Sequence, residues 1–404
     1  MPDTRPDDAP SRPLRVLLAG GGTAGHVNPL LATAAALADP ALGGDPATRI
    51  LVLGTRQGLE ARLVPEAGHE LAFIPRAPLP RKPSLDLLRL PTNLRSAVRA
   101  AREAIDRVQA DVVVGFGGYV STPAYLAARR AGVPIVIHEQ NARPGLANRL
   151  GARWARAVAL TFASTPLKAA KGSTEMTGLP LRPAIAGLVE SEATADGAAT
   201  ARRDGAAALG LDPERPTLLV TGGSLGAQRL NEVLASSMAR LPEGLQVLHL
   251  TGKGKDGPVR EALAAAAAQD PSLTGRYQIL DYLTTMEQAY ACADGVVCRS
   301  GAGTVAELTA LGLPALYVPL PIGNGEQRLN AADCVGAGGG RLVPDAEFDA
   351  DALLSFTSVI ADAEQRAAMA RAAAGVGVRD GAARLGALIR AAVTTSAKDQ
   401  GEKK

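Results

Sequence analysis

Two glycine-rich loops, one in each half of the chain, carry the residue types best suited to binding an anion. They are residues 20–26, with the sequence GGGTAGH, and residues 221–227, with the sequence TGGSLGA. Glycine has no Cβ, so the backbone can turn tightly and bring its N–H groups close to a ligand. A helix that begins at such a loop adds unpaired N–H donors and a partial positive charge. Each loop therefore predicts a binding site for a phosphate group.

The sequence around each loop predicts the elements that hold it. Residues 14–19 precede the first loop and residues 217–220 precede the second, and both runs are short, apolar and typical of buried strands. An Ala- and Leu-rich stretch typical of a helix follows each loop. Because such strands and helices alternate along the chain, we expect parallel sheets that are covered on both faces. We predict an α/β protein with two Rossmann-like domains whose sheets face a central cleft.

The length of the chain supports this division. A chain of 404 residues is long for one compact domain. Residues 187–208 are rich in small and polar residues without a clear apolar period, which predicts a linker and the first helix of the second domain. The predicted parts are a disordered tail, a first domain, a second domain, a C-terminal helix and a second disordered tail. They span residues 1–13, 14–183, 184–375, 376–394 and 395–404. The C-terminal helix could pack on either domain, and packing back on the first domain is the arrangement that we predict.

Two other classes of enzyme use loops of similar sequence. The pattern Gly20-x-Gly22-x-x-Gly25 matches a dinucleotide-binding fingerprint, which also needs an acidic residue at the end of the second strand. No carboxylate occurs there before Glu60. The second loop matches the Gly-x-Ser-x-Gly motif of hydrolases, but His249 is the only histidine after Ser224 and lies in an apolar, strand-like run. An oxidoreductase and a hydrolase are both disfavoured, and Ser224 is predicted to donate a hydrogen bond to phosphate.

Composition and charge limit the function further. Apolar residues make up 47% of the chain and charged residues 21%, and no run reaches the ~20 apolar residues that span a bilayer. The three cysteines show neither disulfide nor zinc-ligand spacing, which predicts a reducing compartment. Residues 1–180 hold 22 Lys and Arg against 14 Asp and Glu, whereas residues 181–404 hold 21 against 26. We expect an anionic partner other than nucleic acid to meet the first half alone.

Seven short segments, taken in order, carry a resemblance to a known family. They are residues 21–29 (GGTAGHVNP), 115–121 (GFGGYVS), 138–141 (HEQN), 177–182 (TGLPLR), 221–227 (TGGSLGA), 298–307 (CRSGAGTVAE) and 327–331 (QRLNA). Any one of them is unspecific, but all seven in this order are highly specific. Together they resemble the MurG family of N-acetylglucosaminyltransferases, which make lipid II in bacterial peptidoglycan synthesis.

The resemblance implies a fold and a reaction. The fold is the GT-B glycosyltransferase fold. The reaction is the inverting transfer of GlcNAc from UDP-GlcNAc to the C4 hydroxyl of the MurNAc-pentapeptide in lipid I, without a metal ion or other cofactor. The sequence agrees in having no Asp-x-Asp pair after a predicted strand. A UDP-GlcNAc 2-epimerase of the same fold and a non-catalytic UDP-sugar-binding scaffold are the alternative functions.

The resemblance also assigns the nucleotide site, mainly to the second domain. Arg182 and Ser224 would contact the uridine diphosphate, although Ser224 could equally cap its helix. The backbone of Leu283 would contact the uracil, unless this residue is only part of the core. Glu307 would accept hydrogen bonds from the ribose hydroxyls. The helix start expected to meet the α-phosphate comprises Ala302, Gly303, Thr304, Val305, Ala306 and Glu307.

The sugar of the donor would be bound from both domains. The resemblance assigns hydroxyl contacts to Gln327 and Asn141. This chain has Glu326 where the family often has a second glutamine, so the contact made by that position is left open. The residues that would close on the sugar from the first domain are Thr23, Ala24 and Gly25.

Two residues are candidates for chemistry on the acceptor. His26 closes the first loop, where it is either the base that takes the proton of the acceptor hydroxyl or a ligand of the acceptor pyrophosphate. Glu139 ends a predicted strand at the edge where such sheets bind ligands, and is a second candidate. Its neighbour His138 is either part of the site or a core residue, and His69 and His249 are predicted to be structural.

A basic segment in the first half predicts contact with a membrane. Residues 76–102 contain seven Lys and Arg with one acidic residue, and leucines lie between them. This mixture suits attachment to an anionic leaflet, although an ordinary amphipathic helix is the alternative. With the resemblance, it places the protein on the cytoplasmic face of the bacterial cell membrane, with cell-wall synthesis and division proteins as further expected partners. The predicted membrane-contact residues are Arg81, Lys82, Leu85, Leu87, Leu88 and Arg89.

Overall fold

A computed structural model describes residues 12–76, 86–223, 226–322 and 324–401 of the chain. The first domain is a seven-stranded parallel sheet with the order β3-β2-β1-β4-β5-β6-β7 and helices on its faces. Its strands are β1 (Arg15–Ala19), β2 (Arg49–Gly54), β3 (Glu70–Phe73), β4 (Val112–Gly115), β5 (Ile135–Glu139), β6 (Ala157–Leu160) and β7 (Ser173–Met176). Its helices are α1 (Ala24–Ala38), α2 (Glu60–Glu66), α3 (Asp86–Val108), α4 (Gly118–Ala131) and α5 (Leu146–Gly151).

The second domain is a six-stranded parallel sheet with the order β10-β9-β8-β11-β12-β13. Its strands are β8 (Thr217–Thr221), β9 (Gln246–Leu250), β10 (Tyr277–Leu280), β11 (Gly295–Cys298), β12 (Ala315–Tyr317) and β13 (Gly340–Leu342). Its helices are α6 (Pro183–Ser191), α7 (Ala195–Leu209), α8 (Gln228–Ser237), α9 (Gly257–Ala267), α10 (Leu273–Arg276), α11 (Met286–Cys292), α12 (Ala302–Leu311), α13 (Glu326–Asn330), α14 (Ala332–Gly336), α15 (Ala350–Ala361) and α16 (Ala363–Val376). Numbered from its own first strand, this sheet has the same order as the first six strands of domain one.

The central strands are apolar throughout because both faces of each sheet are buried. In β1, Leu17 and Ala19 point into the core cluster on one face, and Val16 and Leu18 point into the cluster on the other. All four side chains are fully buried. A strand with only one covered face would alternate apolar and polar residues instead. Both domains are thus doubly wound, as the alternating sequence pattern predicts.

The chain passes between the domains twice, and the two crossings touch. The first crossing follows β7, and the second follows α16. A Cβ on Gly178, in the first crossing, would overlap Val378 in the second. Gly178 has a φ of +75°, a conformation that favours glycine, and its carbonyl oxygen lies 3.0 Å from His138 Nε2. His138 therefore ties the end of β5 to the crossing.

The last helix, α17 (Gly381–Gly401), returns to the first domain. Its side chains Leu385, Leu388 and Ile389 belong to the core cluster that also contains Val16 and Leu18. The helix extends to Gly401, so it includes residues 395–401 of the predicted tail. The chain thus ends on the domain in which it began.

Some elements differ from the predicted pattern. Strands β3 and β7 are not among the predicted strands. Both are edge strands with exposed or half-buried residues, and only β3 coincides with an apolar run, at residues 71–74. The four-residue β6 has two alanines, which have low strand propensity. The predicted linker at residues 187–208 lies within α6 and α7, and both helices pack on α11 of the second domain.

Candidate active site

The candidate site is framed by loops at the point where the strand order of each sheet reverses. In the first domain, β1 and β4 are neighbours, and residues 20–23 and 116–117 follow them. In the second domain, β8 and β11 are neighbours, and residues 222–227 and 299–301 follow them. Ligands of open α/β sheets bind outside the carboxyl ends of the strands at this point. Each domain therefore contributes two loops.

The first glycine loop is held by a carboxylate from its own domain. Glu60 Oε2 accepts a hydrogen bond from the Gly22 N–H at 2.9 Å, and Glu60 Oε1 accepts from the N–H and hydroxyl of Thr55 at 3.0 and 2.9 Å. The Thr55 hydroxyl also lies 3.1 Å from the Tyr119 hydroxyl. Because the Gly22 N–H is already used, a ligand must bind to other donors. The N–H groups of Thr23, Ala24 and Gly25 have no acceptor among the described residues.

Thr23, Ala24 and Gly25 are exposed at the start of α1, and His26 is half-buried in the same turn. The Thr23 hydroxyl lies 2.8 Å from His26 Nδ1, which leaves Nε2 as the second ring atom available for hydrogen bonding. Burial lowers the pKa of His26 to about 4, and the negative charge of Glu60 opposes this shift. His26 is therefore neutral at neutral pH, with one ring nitrogen able to accept a proton.

Glu139 is buried at the end of β5 and organises the loop that follows it. One carboxylate oxygen accepts from the Asn141 N–H at 3.0 Å, and the other accepts from the Gly145 N–H at 2.9 Å and from Asn148 Nδ2 at 3.0 Å. Burial raises the pKa of Glu139, while these hydrogen bonds lower it. Both oxygens are engaged within the loop, so this geometry gives Glu139 a role in loop structure.

Asn330 joins the two domains beside the cleft. Its side-chain oxygen accepts from the Ala142 N–H at 2.9 Å, and its side-chain nitrogen lies 3.3 Å from Asn141 Oδ1 and 3.3 Å from the Ser300 carbonyl oxygen. Only 1% of Asn330 is exposed. The predicted sugar-binding residue Asn141 is thus brought against the second domain.

We expect Asn330→Ala to lower the stability of the protein by about 1–3 kcal/mol, because the buried Ala142 N–H loses its acceptor. For a domain of about 150–250 residues, each kcal/mol lowers the thermal midpoint by roughly 2–4 °C. Calorimetry measures the shift. Arg328→Ala, at an exposed position of the same short helix, is the matched control. An unchanged midpoint in Asn330→Ala would contradict a bridging role.

Gln327 lies on α13 and is half-buried. Its side-chain oxygen accepts from the Leu320 N–H at 2.9 Å, which fixes the loop after β12. Its side-chain amide group is left as a donor for a ligand. Glu326 is also half-buried, and its charge contributes to the raised pKa of Glu139 across the cleft.

Glu307 and Arg182 form a bidentate ion pair. Arg182 Nε donates to Glu307 Oε1 at 2.8 Å, and an Arg182 terminal nitrogen donates to Oε2 at 3.1 Å. The Tyr290 hydroxyl donates to the same Oε2 at 3.1 Å. Burial raises the pKa of Tyr290 well above its ordinary value, and the Glu307 charge adds to the effect, so the hydroxyl stays protonated. Three groups thus hold the predicted ribose-binding carboxylate in one orientation.

The start of α12 provides free donors beside open space. Ala302, Gly303 and Thr304 form its first turn, and Val305, Ala306 and Glu307 continue it with Glu307 on the side of Arg182. A Cβ on Gly301 or Gly303 would meet nothing within 4 Å. The fully buried Ser300 hydroxyl, immediately before the helix, has no hydrogen-bond partner among the described residues. An orphan hydroxyl and a helix N-terminus together suit an anionic group.

The second glycine loop turns tightly against the loop after β9. The Gly226 N–H donates to the Gly223 carbonyl oxygen at 2.9 Å, and a Cβ on Gly226 would overlap the Thr251 carbonyl oxygen. Ser224 lies outside the described residues, so its predicted contact stays a prediction. His249 is buried between Tyr277 and Asn231, with ring nitrogens 2.9 and 3.0 Å from their side-chain oxygens. These structural partners leave it no hydrolytic role.

Leu283 lies on the loop after β10, half-buried against the core cluster that contains Tyr290. Its neighbour Tyr282 is exposed, and the Lys253 ammonium lies 4.9 Å from the Tyr282 ring centroid. This loop and the loop after β9 therefore form one wall of the second-domain half of the cleft.

Part of the predicted membrane-contact segment lies outside the residues that the structure describes. Arg81, Lys82 and Leu85 are outside the described residues, and Leu87, Leu88 and Arg89 lie in α3 with undescribed side chains. Within the described chain, we find no helix that combines the length and hydropathy needed to cross a membrane. The same residues contain no group of three or more His, Cys, Asp or Glu arranged to bind a metal ion.

The structure adds residues that motif reasoning passed over. Tyr290 contacts Glu307 through a side chain that no motif marks. Asn330 lies in the segment 327–331, but the sequence assigns it no contact, and the structure places it against Ala142 and Asn141. In the sequence, Glu60 is only a carboxylate that comes too late for a dinucleotide site. In the structure, it accepts a hydrogen bond from the Gly22 N–H of the first loop. The glycines at 54 and 58, close to Glu60 in sequence, were the available signal.

Comparisons with known proteins agree with this geometry. Residues 16–160 match the glycosyltransferase family 28 N-terminal domain, and residues 217–385 match the C-terminal domain of the same family. The chain is 50% identical over 377 residues to a UDP-N-acetylglucosamine–N-acetylmuramyl-(pentapeptide) pyrophosphoryl-undecaprenol N-acetylglucosamine transferase of Bifidobacterium longum (strain DJO10A), covering 91% of this chain and 94% of the relative.

Solved structures give the same result. The crystal structure of Acinetobacter baumannii MurG superposes with a TM-score of 0.73 at 27% identity, over 94% of this chain and 99% of that one. This match confirms the predicted GT-B fold. A UDP-GlcNAc 2-epimerase from Neisseria meningitidis matches with a TM-score of 0.63 at 15% identity, over 95% of this chain and 100% of that one, which indicates a shared fold alone. Three findings agree: the chain is 50% identical to a named transferase over most of both lengths, it matches both family 28 domains, and it superposes on MurG. The chain therefore belongs to the MurG family of N-acetylglucosaminyltransferases.

Proposed function

We propose that this chain transfers GlcNAc from UDP-GlcNAc to the C4 hydroxyl of the MurNAc-pentapeptide in lipid I, with inversion and without a metal ion, and so makes lipid II. The observation that carries the proposal is 50% identity, over nearly the full length of both chains, to a relative whose name states this donor group and acceptor. The alternative functions, an epimerase and a non-catalytic scaffold, lack such support, because the epimerase resemblance is confined to the fold.

We propose that the second domain binds the nucleotide. Glu307, held by Arg182 and Tyr290, has unused lone pairs that can accept from a ribose diol. The first turn of α12 and the Ser300 hydroxyl supply donors for the diphosphate. The loop that carries Leu283 would then lie against the base.

The proposed reaction is a single displacement. The acceptor C4 oxygen forms a bond to the anomeric carbon, the bond from that carbon to the diphosphate oxygen breaks, and UDP leaves with the electron pair. The free N–H groups of α12 stabilise the charge on the departing diphosphate. The acceptor proton passes to a base, for which neutral His26 is the candidate with an available ring nitrogen.

We propose that the sugar lies between the domains. Asn141 and Gln327 approach this space from opposite sides, and the Gln327 amide nitrogen has no acceptor among the described residues. The N–H groups of Thr23, Ala24 and Gly25 face an anionic or hydroxyl-bearing ligand from the first domain. The acceptor pyrophosphate is the group that fits a helix N-terminus best.

We also propose peripheral attachment to the cytoplasmic face of the cell membrane through the first domain. Residues 112–172 contain eight Lys and Arg but only one acidic residue, the buried Glu139. The exposed members of this set lie mainly on α4, on α5 and in the loops that follow α5 and β6. They are Arg129, Arg130, Arg143, Arg149, Arg153, Lys168 and Lys171. Such a surface attracts anionic lipids and would hold the site near a lipid-linked acceptor.

The test is a transfer assay with purified protein, radiolabelled UDP-GlcNAc and a short-chain lipid I analogue, run with EDTA. We expect a disaccharide product at an undiminished rate in the presence of the chelator. Absence of the disaccharide would refute the transferase, and formation of the epimeric UDP-sugar would support the alternative enzyme. Sedimentation with anionic and with neutral vesicles separately tests membrane attachment.

A further inference from the structure

We propose that Glu60 is a positioning residue for this reaction: its buried carboxylate fixes the first glycine loop, and with it Thr23 and His26, in the cleft. The inference rests on the proposed function, because it assigns Glu60 to the transfer reaction. Glu60 begins α2 and is fully buried, so its carboxylate is not exposed to the cleft. It therefore acts through the loop and not by contact with a reacting atom.

The contacts of Glu60 are those of an internal anion. Both oxygens accept hydrogen bonds, from the Gly22 N–H and from the N–H and hydroxyl of Thr55. No described Lys, Arg or His forms an ion pair with it. A buried charge without a cation is costly unless dipoles stabilise it. The loop N–H groups beside the N-terminus of α1 supply those dipoles, so carboxylate and loop stabilise each other.

Three glycines leave the space that the Glu60 side chain occupies. A Cβ on Gly21 would lie 2.5 Å from Glu60 Oε1, and a Cβ on Gly54 would lie 2.5 Å from Glu60 Cγ. A Cβ on Gly58 would overlap the carboxylate. The glycines of the loop therefore do more than approach a ligand: Gly21 makes room for an anion that belongs to the protein.

The geometry connects Glu60 to the reactive end of the loop. Gly22 has a φ of +90°, a conformation that favours glycine, and its N–H is the group that Glu60 binds. Thr23 follows directly and contacts His26 Nδ1 at 2.8 Å. A charge beside the loop also favours the imidazolium that forms when His26 accepts a proton. Loss of Glu60 should thus affect turnover more than donor binding.

The first experiment compares Glu60→Gln with the matched control Glu66→Gln, an exposed position of the same helix. We expect Glu60→Gln to lower kcat at least tenfold, with the KM for UDP-GlcNAc within twofold, because the second domain is proposed to bind the nucleotide of the donor. The control should keep both constants. A folded Glu60→Gln protein with wild-type kcat, or one whose loss lies in donor KM alone, would overturn the proposal.

The second experiment tests the packing without an activity readout. We expect Gly58→Ala to lower the thermal midpoint in the wild-type background and in Glu60→Gln, but to have a much smaller effect in Glu60→Ala, where the clashing group is gone. Gly244→Ala, at an exposed turn where a Cβ meets nothing within 4 Å, controls for a glycine substitution outside a helix. An equal loss in all three backgrounds would refute the packing around Glu60.

The two experiments separate this inference from the proposed function. If the wild-type protein forms no disaccharide, the transferase proposal fails, and the role of Glu60 in the reaction fails with it even if the packing result holds. If the wild type is active and Glu60→Gln retains full turnover, only the positioning role fails.

Discussion

Glu307→Ala is expected to raise the KM for UDP-GlcNAc about 100-fold, because each hydrogen bond to a charged group contributes about 1.5–3 kcal/mol and about 1.4 kcal/mol is tenfold in affinity. The carboxylate would make such bonds with the donor before and during the reaction alike. We therefore expect kcat at saturating donor to change little, as for any loss of uniform binding. Initial rates over a range of UDP-GlcNAc concentrations measure both constants.

Two variants sharpen the interpretation of Glu307. Tyr290→Phe removes one neutral donor from the carboxylate and should raise the donor KM about two- to tenfold, because such a hydrogen bond contributes about 0.5–1.5 kcal/mol. Glu190→Ala, at an exposed position of the second domain, should change neither constant. A fall in kcat with an unchanged KM in Glu307→Ala would instead place this carboxylate in the chemical step.

The fold could be predicted largely because its information is local. Strands buried on both faces are continuous apolar runs, and the two glycine loops stand directly after such runs, so periodicity locates them. The edge strand β7 could not be found in this way, because one side of an edge strand is open and polar residues are tolerated. The pairing order of the strands is likewise not encoded in any local pattern.

The parts of the candidate site that lie in one contiguous motif could be predicted from the sequence. The parts formed by residues distant in the chain could not. Residues 302–307 form one contiguous motif at the start of a helix. In contrast, Tyr290 and Glu307 are 17 residues apart and lie on two different helices. Asn330 reaches Ala142 across 188 residues. Motif reasoning predicts that the first loop binds a ligand anion with its glycine N–H groups, but one of them already binds Glu60. Glu60 lies 38 residues from Gly22 in the chain, so no contiguous motif marks this contact.

His26→Ala is expected to lower kcat about 100- to 10,000-fold, the range that general base catalysis contributes, with the KM for UDP-GlcNAc nearly unchanged. Burial lowers the pKa of His26 to about 4, so the neutral imidazole is already the dominant form throughout pH 5–8. We therefore expect kcat/KM to show no loss from His26 protonation until the pH approaches 4. His69→Gln, at the far end of the sheet before β3, is the matched control.

The tautomer of His26 decides between its two candidate roles. If the Thr23 hydroxyl accepts from Nδ1–H, then Nε2 is the free base; if that hydroxyl donates to Nδ1, then Nε2–H is a donor for the acceptor pyrophosphate. His26→Gln keeps an N–H donor near the position of Nε2 but removes the base. If His26 is the base, we expect His26→Gln to be as slow as His26→Ala. If His26 binds the pyrophosphate, we expect His26→Gln to recover much of the activity that His26→Ala loses. An acidic limb near pH 6.5 that disappears in His26→Ala would contradict the lowered pKa of His26.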